Sequence, residues 1–231
     1  MSDDFRECVV ICEGLADKKF LDKLFSSISF EKYVTIPFHD KPDDGLYGVS
    51  NFGRMIELVK SSNPAKLEKV KLFLFVADSA NNPENTFRSI CSMLEEYGLP
   101  VPDKAGILSK EVAGDQKTAV ILLPEDSQPG CLETLYIRYL RTKYKDLESC
   151  HERFISCLGI DQTEWNTEKI HKSLFHATVA ATFKKDPSRS TSRVFDRGCL
   201  VDIDDPTFAD LKIKIKDIFT ALKIYDAQEP S

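Results

Sequence analysis

The sequence predicts an α/β protein: a parallel sheet sandwiched by helices, with a mostly helical C-terminal extension. Three observations predict it. Continuous apolar runs of five to eight residues recur along the first half of the chain, as strands buried on both faces require. An amphipathic stretch with helical spacing follows three of them, so strand and helix alternate, and right-handed crossovers then make the sheet parallel. The last third keeps helical spacing and shows no further strand.

The first run is Cys8-Val9-Val10-Ile11-Cys12, broken by Glu13-Gly14. Residues 16–29 place Phe20, Leu21, Leu24, Phe25 and Ile28 at helical spacing. Residues 33–38 read as a second strand. Residues 39–50, with Pro42, Gly45, Gly48 and three Asp, read as a loop. Residues 52–62 read as a helix, ended by Asn63-Pro64. Residues 70–77 are the strongest strand signal. A polar turn follows, then a helix with Pro83 in its first turn, Phe87, Ile90, Cys91, Leu94 and Tyr97 on its apolar stripe, and Gly98 at its end. Residues 118–123 are a further buried strand closed by Pro124, and 132–145 an amphipathic helix. Helices are expected at 146–159, 164–183 and 208–225, with a polar, irregular stretch at 186–205. The expected division is a core over 1–146 and a helical extension over 147–231 packed on it, the two forming either separate units or one continuous domain.

Composition narrows the function. The chain has 231 residues, 42% hydrophobic, with 31 Lys and Arg against 37 Asp and Glu, a net charge of −6. That length supports a core without disulfide or metal staples. The balance argues against an overall basic nucleic-acid binder but leaves room for a local patch. Seven cysteines occur, an odd number with no C-x-x-C, several inside apolar runs. They read as free thiols and buried small hydrophobes of a cytoplasmic protein. The acidic start and the short apolar runs predict neither a signal peptide nor a membrane span.

Functional groups of an open parallel sheet collect beyond the carboxyl ends of its strands. Three expected strands lead there into acids: Glu13 with Asp17 four residues on, Asp78, and Glu125-Asp126 followed by Glu133. Carboxylates converging at one edge need a compensating cation, and Mg²⁺ or Mn²⁺ suits oxygen donors. The alternative for each acid is a helix cap or a favourable charge at a helix N-terminus.

Cys12-Glu13-Gly14-Leu15-Ala16-Asp17, after an apolar strand, resembles the first Toprim motif. Val76-Ala77-Asp78-Ser79-Ala80 sits where Toprim domains carry Asp-x-Asp. Leu123-Pro124-Glu125-Asp126 with Gly130-Cys131-Leu132-Glu133 resembles a later segment of an uncharacterised bacterial Toprim-related family akin to OLD-type nucleases. The resemblance implies a Toprim-like fold and a divalent-metal-dependent nuclease or phosphodiester-processing protein. By it, Glu13 is a metal ligand or general base, Asp78 a ligand, and Asp17 and Glu133 hold a second metal. Lys169 stands roughly where OLD-like nucleases place a basic residue on the scissile phosphate, with Lys172 as plausible. The departure is Ala80, which replaces the second Asp and removes one hard ligand.

Between Trp165 and Leu200 stand Lys169, Lys172, Lys184, Lys185, Arg189, Arg193 and Arg197 against Glu168, Asp186 and Asp196. This is a local charge of +4 that leaves −10 elsewhere. Such a patch could track phosphates of DNA or RNA; a solvated helix face and loop is the plainer reading. His171 and His176 read as helix-surface or core histidines. No Gly-x-Ser-x-Gly elbow, Walker loop or Gly-x-Gly-x-x-Gly occurs. The leading expectation is therefore a Toprim-like metal-dependent nuclease. The second is a catalytically degenerate relative that binds nucleic acid or a protein partner, with homo-oligomerisation open. The third is a structural α/β module with every acid a cap.

Overall fold

In the computed structural model, residues 7–37, 51–62, 68–110, 116–182, 194 and 200–224 are described. Four strands, β1 (Cys8–Cys12), β2 (Tyr33–Pro37), β3 (Leu72–Asp78) and β4 (Lys117–Leu123), form one sheet in the order β2-β1-β3-β4. Every pairing is parallel. The connecting helices are α1 (Leu15–Ser27), α2 (Phe52–Ser62), α3 (Pro83–Glu96) and α4 (Leu132–Lys143). After them come α5 (Leu147–Cys157), α6 (Thr167–Thr182), a 3₁₀ turn at Pro206–Phe208 and α7 (Ala209–Ala221). The α/β class expected from alternating apolar runs and helical stripes is what is found, and it is consistent with a Toprim-like architecture.

The strands are apolar throughout because both faces are covered, and alternation splits their side chains between two cores. Cys8, Val10, Cys12, Leu74, Val76 and Ile121 meet Phe20, Leu24, Leu135, Tyr136, Phe175 and Phe208 on one side. Val9, Ile11, Phe73, Phe75 and Val120 meet Phe52, Ile56, Ile90 and Leu94 on the other. So α1, α4, α6 and α7 cover one face, and α2 and α3 the other. The Phe20 ring meets Tyr136 edge-on at 5.9 Å between centroids, and Tyr136 lies 5.0 Å from Phe175. The C-terminal helices thus share the core of the first half.

Element ends follow local chemistry. Asn82 caps α3 by accepting from the Asn85 N–H at 3.0 Å, with Pro83 in the first turn. Gly98, just past that helix, takes φ +65°, where glycine has no steric penalty. The loop expected at 39–50 and most of the irregular stretch at 186–205 lie outside the described residues.

The order 2-1-3-4 reverses direction at β1: the chain leaves β1 for β2 on one side, then crosses to β3 on the other. The crevice at the carboxyl ends of β1 and β3 is therefore the topological switch point, where open α/β sheets bind ligands.

Candidate metal centre

Glu13 follows β1 and Asp78 ends β3, so both stand at that crevice. Glu13 Oε1 accepts the Asp78 backbone N–H at 2.9 Å, and Asp78 Oδ1 accepts the Leu132 N–H of α4 at 2.9 Å. This relay ties β1, β3 and the start of α4 together. Glu133 lies in the first turn of α4 and is only 7% exposed. A carboxylate oxygen of Asp78, one of Glu133 and Cys131 Sγ all lie within 4.8 Å of one another. A buried Asp/Cys/Glu cluster that could hold a metal ion therefore exists at the switch point.

Asp17 takes the third position of α1, behind the N-cap Gly14. The backbone N–H groups of Gly14 and Asp17 lower its carboxyl, and as an acid in the first turn it sits where the helix N-terminus favours negative charge. Asp17 thus fits the alternative of a favourable charge at a helix N-terminus, and one oxygen of Asp78 fits the helix-cap reading.

The electrostatics confirm the crowding. Burial, then the charges of Glu13 and Glu133, raise the Asp17 carboxyl to about 7. Burial, then Glu13, Asp17 and Glu133, hold Asp78 well above the usual carboxylate range. Burial raises Glu13 as well, against the Asp78 N–H and Lys172, which lower it. Like charges this close cannot all ionise without a compensating cation. Lys172 of α6 acts on Glu13 and Asp78 and lowers both. Burial alone would lower its ammonium, yet the bond to Glu168 and the charges of Asp78 and Glu133 raise it. Its Nζ pairs with Glu168 Oε1 at 2.5 Å.

Residues 7–222 match the protein-family model described as Protein of unknown function (DUF3226). The chain belongs to the DUF3226 family. No curated protein and no solved structure matches it significantly.

In this DUF3226 member the fold sets Asp78 and Glu133 together with Cys131, Glu13 on the Asp78 N–H, and Asp17 within electrostatic reach of Glu13 and Glu133. It does not bring Lys169 with them: Lys169 is exposed, its Nζ 4.5 Å over the Trp165 ring, and the lysine facing the carboxylates is Lys172. Lys184, Lys185, Arg189, Arg193 and Arg197 lie outside the described residues. Glu125 and Asp126, the other acids after β4, are engaged elsewhere, Glu125 with Arg138 and Asp126 with Lys214 at 2.5 Å.

Position 80 does more than lack a carboxylate. Ala80 has φ +51°, and its N–H and C=O both bond to Gly130, at 2.9 and 2.7 Å. Its backbone thereby clamps the turn before α4 against the end of β3.

The residue that sequence reasoning missed is Cys131. The expectation of a buried hydrophobe holds for its burial, as for Cys8 and Cys12, and fails for Cys150 and Cys157, which are exposed on α5. Cys131 differs in its company. Its side chain stands at the N-cap of α4, beside Asp78 and Glu133. The available signal was its place inside Gly130-Cys131-Leu132-Glu133, two residues before an acid.

Proposed function

We infer that this chain is a Toprim-like, divalent-metal-dependent protein that processes phosphodiesters, with a nuclease as its leading activity. The observation that carries the reading is the buried Asp78–Cys131–Glu133 cluster, with Glu13 beside it, at the switch point of a parallel sheet. The carboxylates of that set fit a divalent cation. Asp78 and Glu13 each direct one oxygen to a backbone N–H, and no bond engages the other among the described residues.

Asp78 and Glu133 would hold Mg²⁺ or Mn²⁺, which supplies charge neutralisation at a phosphoryl oxygen and a more acidic bound water. Glu13 is the proton acceptor at the site, because burial raises its carboxyl toward the range in which a base works. Lys172 carries the positive charge that faces a phosphate entering from the α6 side. Glu168, Lys169 and Lys172 border an opening of about 350 Å³ there. Asp17 keeps α1 seated and adds negative charge that strengthens cation binding. The basic residues from Lys184 to Arg197 would track the nucleic acid backbone. The six described cysteines are unpaired, which supports the reducing cytoplasm as the compartment. Among the described residues no helix is long and apolar enough to cross a membrane.

A second reading is favoured by one observation. Ala80 offers no ligand and its backbone is committed to Gly130. A catalytically degenerate relative that binds nucleic acid or a protein partner would keep this architecture.

The deciding experiment incubates the purified protein with supercoiled DNA, single-stranded DNA and RNA, in Mn²⁺, Mg²⁺ or EDTA. Cleavage that needs metal and disappears in both Glu13→Gln and Asp78→Asn supports the nuclease reading. A rise in Tm with Mn²⁺ but no cleavage of any substrate moves the second reading ahead. Cleavage unchanged in both variants would overturn the site.

A further inference from the structure

The carboxylates at the switch point account for a hard cation; they do not account for Cys131. Its Sγ lies within 4.8 Å of carboxylate oxygens of both Asp78 and Glu133. Donors at about 2.3 Å (sulfur) and 2.1 Å (oxygen) from one tetrahedral ion stand roughly 3.6 Å apart, so side-chain rotation alone would close the set.

A second observation points to the missing ion. Glu133 is 7% exposed, and among the described residues its carboxylate forms no ion pair and accepts no N–H. Its one hydrogen-bond neighbour is the Cys131 thiol. With the Asp78 carboxylate beside it, such a group is stabilised by a cation between the two. The thiol is also held in place. Thr134 Oγ1 accepts the Cys131 N–H at 3.0 Å, lies 3.7 Å from Sγ and is 3.0 Å from His171 Nδ1. Neighbours of this kind orient a metal's ligands. Burial and the charges of Glu133 and Asp78 push the Cys131 thiol up, so the sulfur becomes a thiolate only when an incoming divalent ion displaces its proton to solvent.

We propose that Cys131 is a metal ligand alongside Asp78 and Glu133, so that the centre takes thiophilic divalent ions such as Zn²⁺ and Co²⁺ in preference to Mg²⁺. The proposal rests on the metal-centre reading above and names its ion. A thiolate adds affinity for the later first-row ions, whereas Mg²⁺ requires a near-octahedral shell of oxygens. The mixed set is thus a selectivity device.

The test titrates the metal-free protein with CoCl₂ and with ZnCl₂. It is run in a Cys150→Ser/Cys157→Ser background so that the exposed thiols do not contribute, with and without Cys131→Ser. The expected result is a sulfur-to-cobalt charge-transfer band in the near ultraviolet that saturates at one equivalent and vanishes in Cys131→Ser. Zn²⁺ affinity should fall at least tenfold in that variant while Mn²⁺ affinity changes less. X-ray absorption of the background protein loaded with one equivalent of Zn²⁺ should show one sulfur at about 2.3 Å, a readout that needs no Cys131 variant. Co²⁺ binding without the charge-transfer band, or an all-oxygen and nitrogen zinc shell, would overturn the thiolate ligand and leave the carboxylate centre standing. No binding of Co²⁺, Zn²⁺ or Mn²⁺ would overturn both.

Discussion

Ala80 holds a left-handed backbone that costs a residue with a Cβ roughly 1–2 kcal/mol relative to glycine. It is kept there by its two hydrogen bonds to Gly130. Ala80→Gly should therefore stabilise the protein by about 1 kcal/mol in urea denaturation, less the entropy glycine adds to the unfolded chain. Aspartate tolerates this region better than most residues. Ala80→Asp should fold and, with its carboxylate near Asp78, tighten Mn²⁺ binding; unchanged affinity would show that the side chain points away from the centre. Asp17 sets a pH dependence. Its carboxyl titrates at about 7 in the folded chain, against about 3.9 unfolded, so the native state binds the extra proton between those values. Its contribution to stability therefore falls as pH rises from about 4 to about 7. Burial lowers His151 and His171, which acts in the opposite sense near pH 6. The difference between wild type and Asp17→Asn reports the aspartate together with its coupling to Asp78 and Glu13. With EDTA present, the variant should gain stability relative to wild type from pH 5 to pH 8, and a constant difference would refute the shift.

The start of α4 is the element on which the site depends. Gly130 has φ +144°, and a Cβ there would lie 2.6 Å from Thr134 Oγ1 and 3.0 Å from Pro124 Cδ. Thr134 in turn holds the Cys131 N–H and reaches His171 on α6. Removing a helix-capping hydroxyl typically costs about 1 kcal/mol. Thr134→Val should lose about that much in urea denaturation and also weaken metal binding, because Cys131 and Glu133 flank the freed cap. Loss of stability with unchanged Zn²⁺ and Mn²⁺ affinity would show that the cap acts on folding alone.

At the scale of the molecule, the charge is divided. A net −6 chain carries +4 between Trp165 and Leu200 and −10 elsewhere. If the basic stretch tracks duplex DNA, each neutralised phosphate contributes a slope of about −0.9 to log K against log salt. Four contacts give about −3.6. Changing Lys184, Lys185, Arg189 and Arg193 together to Ala should flatten the wild-type slope by that amount. Equal slopes in both proteins would make the stretch a solvated surface, and no DNA binding by either at low salt would favour a protein partner.

The parallel sheet and its strands were legible in the sequence because a strand buried on both faces has to be apolar throughout, as Cys8–Cys12 and Leu72–Asp78 nearly are. Glu13, Asp78 and Glu133 were legible as candidates because the carboxyl ends of such strands face one edge. Spacing in sequence does not say which oxygen is already bonded. Only the tertiary structure showed that burial and its acidic neighbours raise Asp17, that Asp78 turns one oxygen to α4, and that Lys172 faces the carboxylates while Lys169 lies on Trp165. Cys131 was invisible as a ligand for the same reason. A single cysteine at a turn before a helix looks like any small residue, and its chemistry depends on neighbours from β3 and α4 that the crossover brings within 4.8 Å.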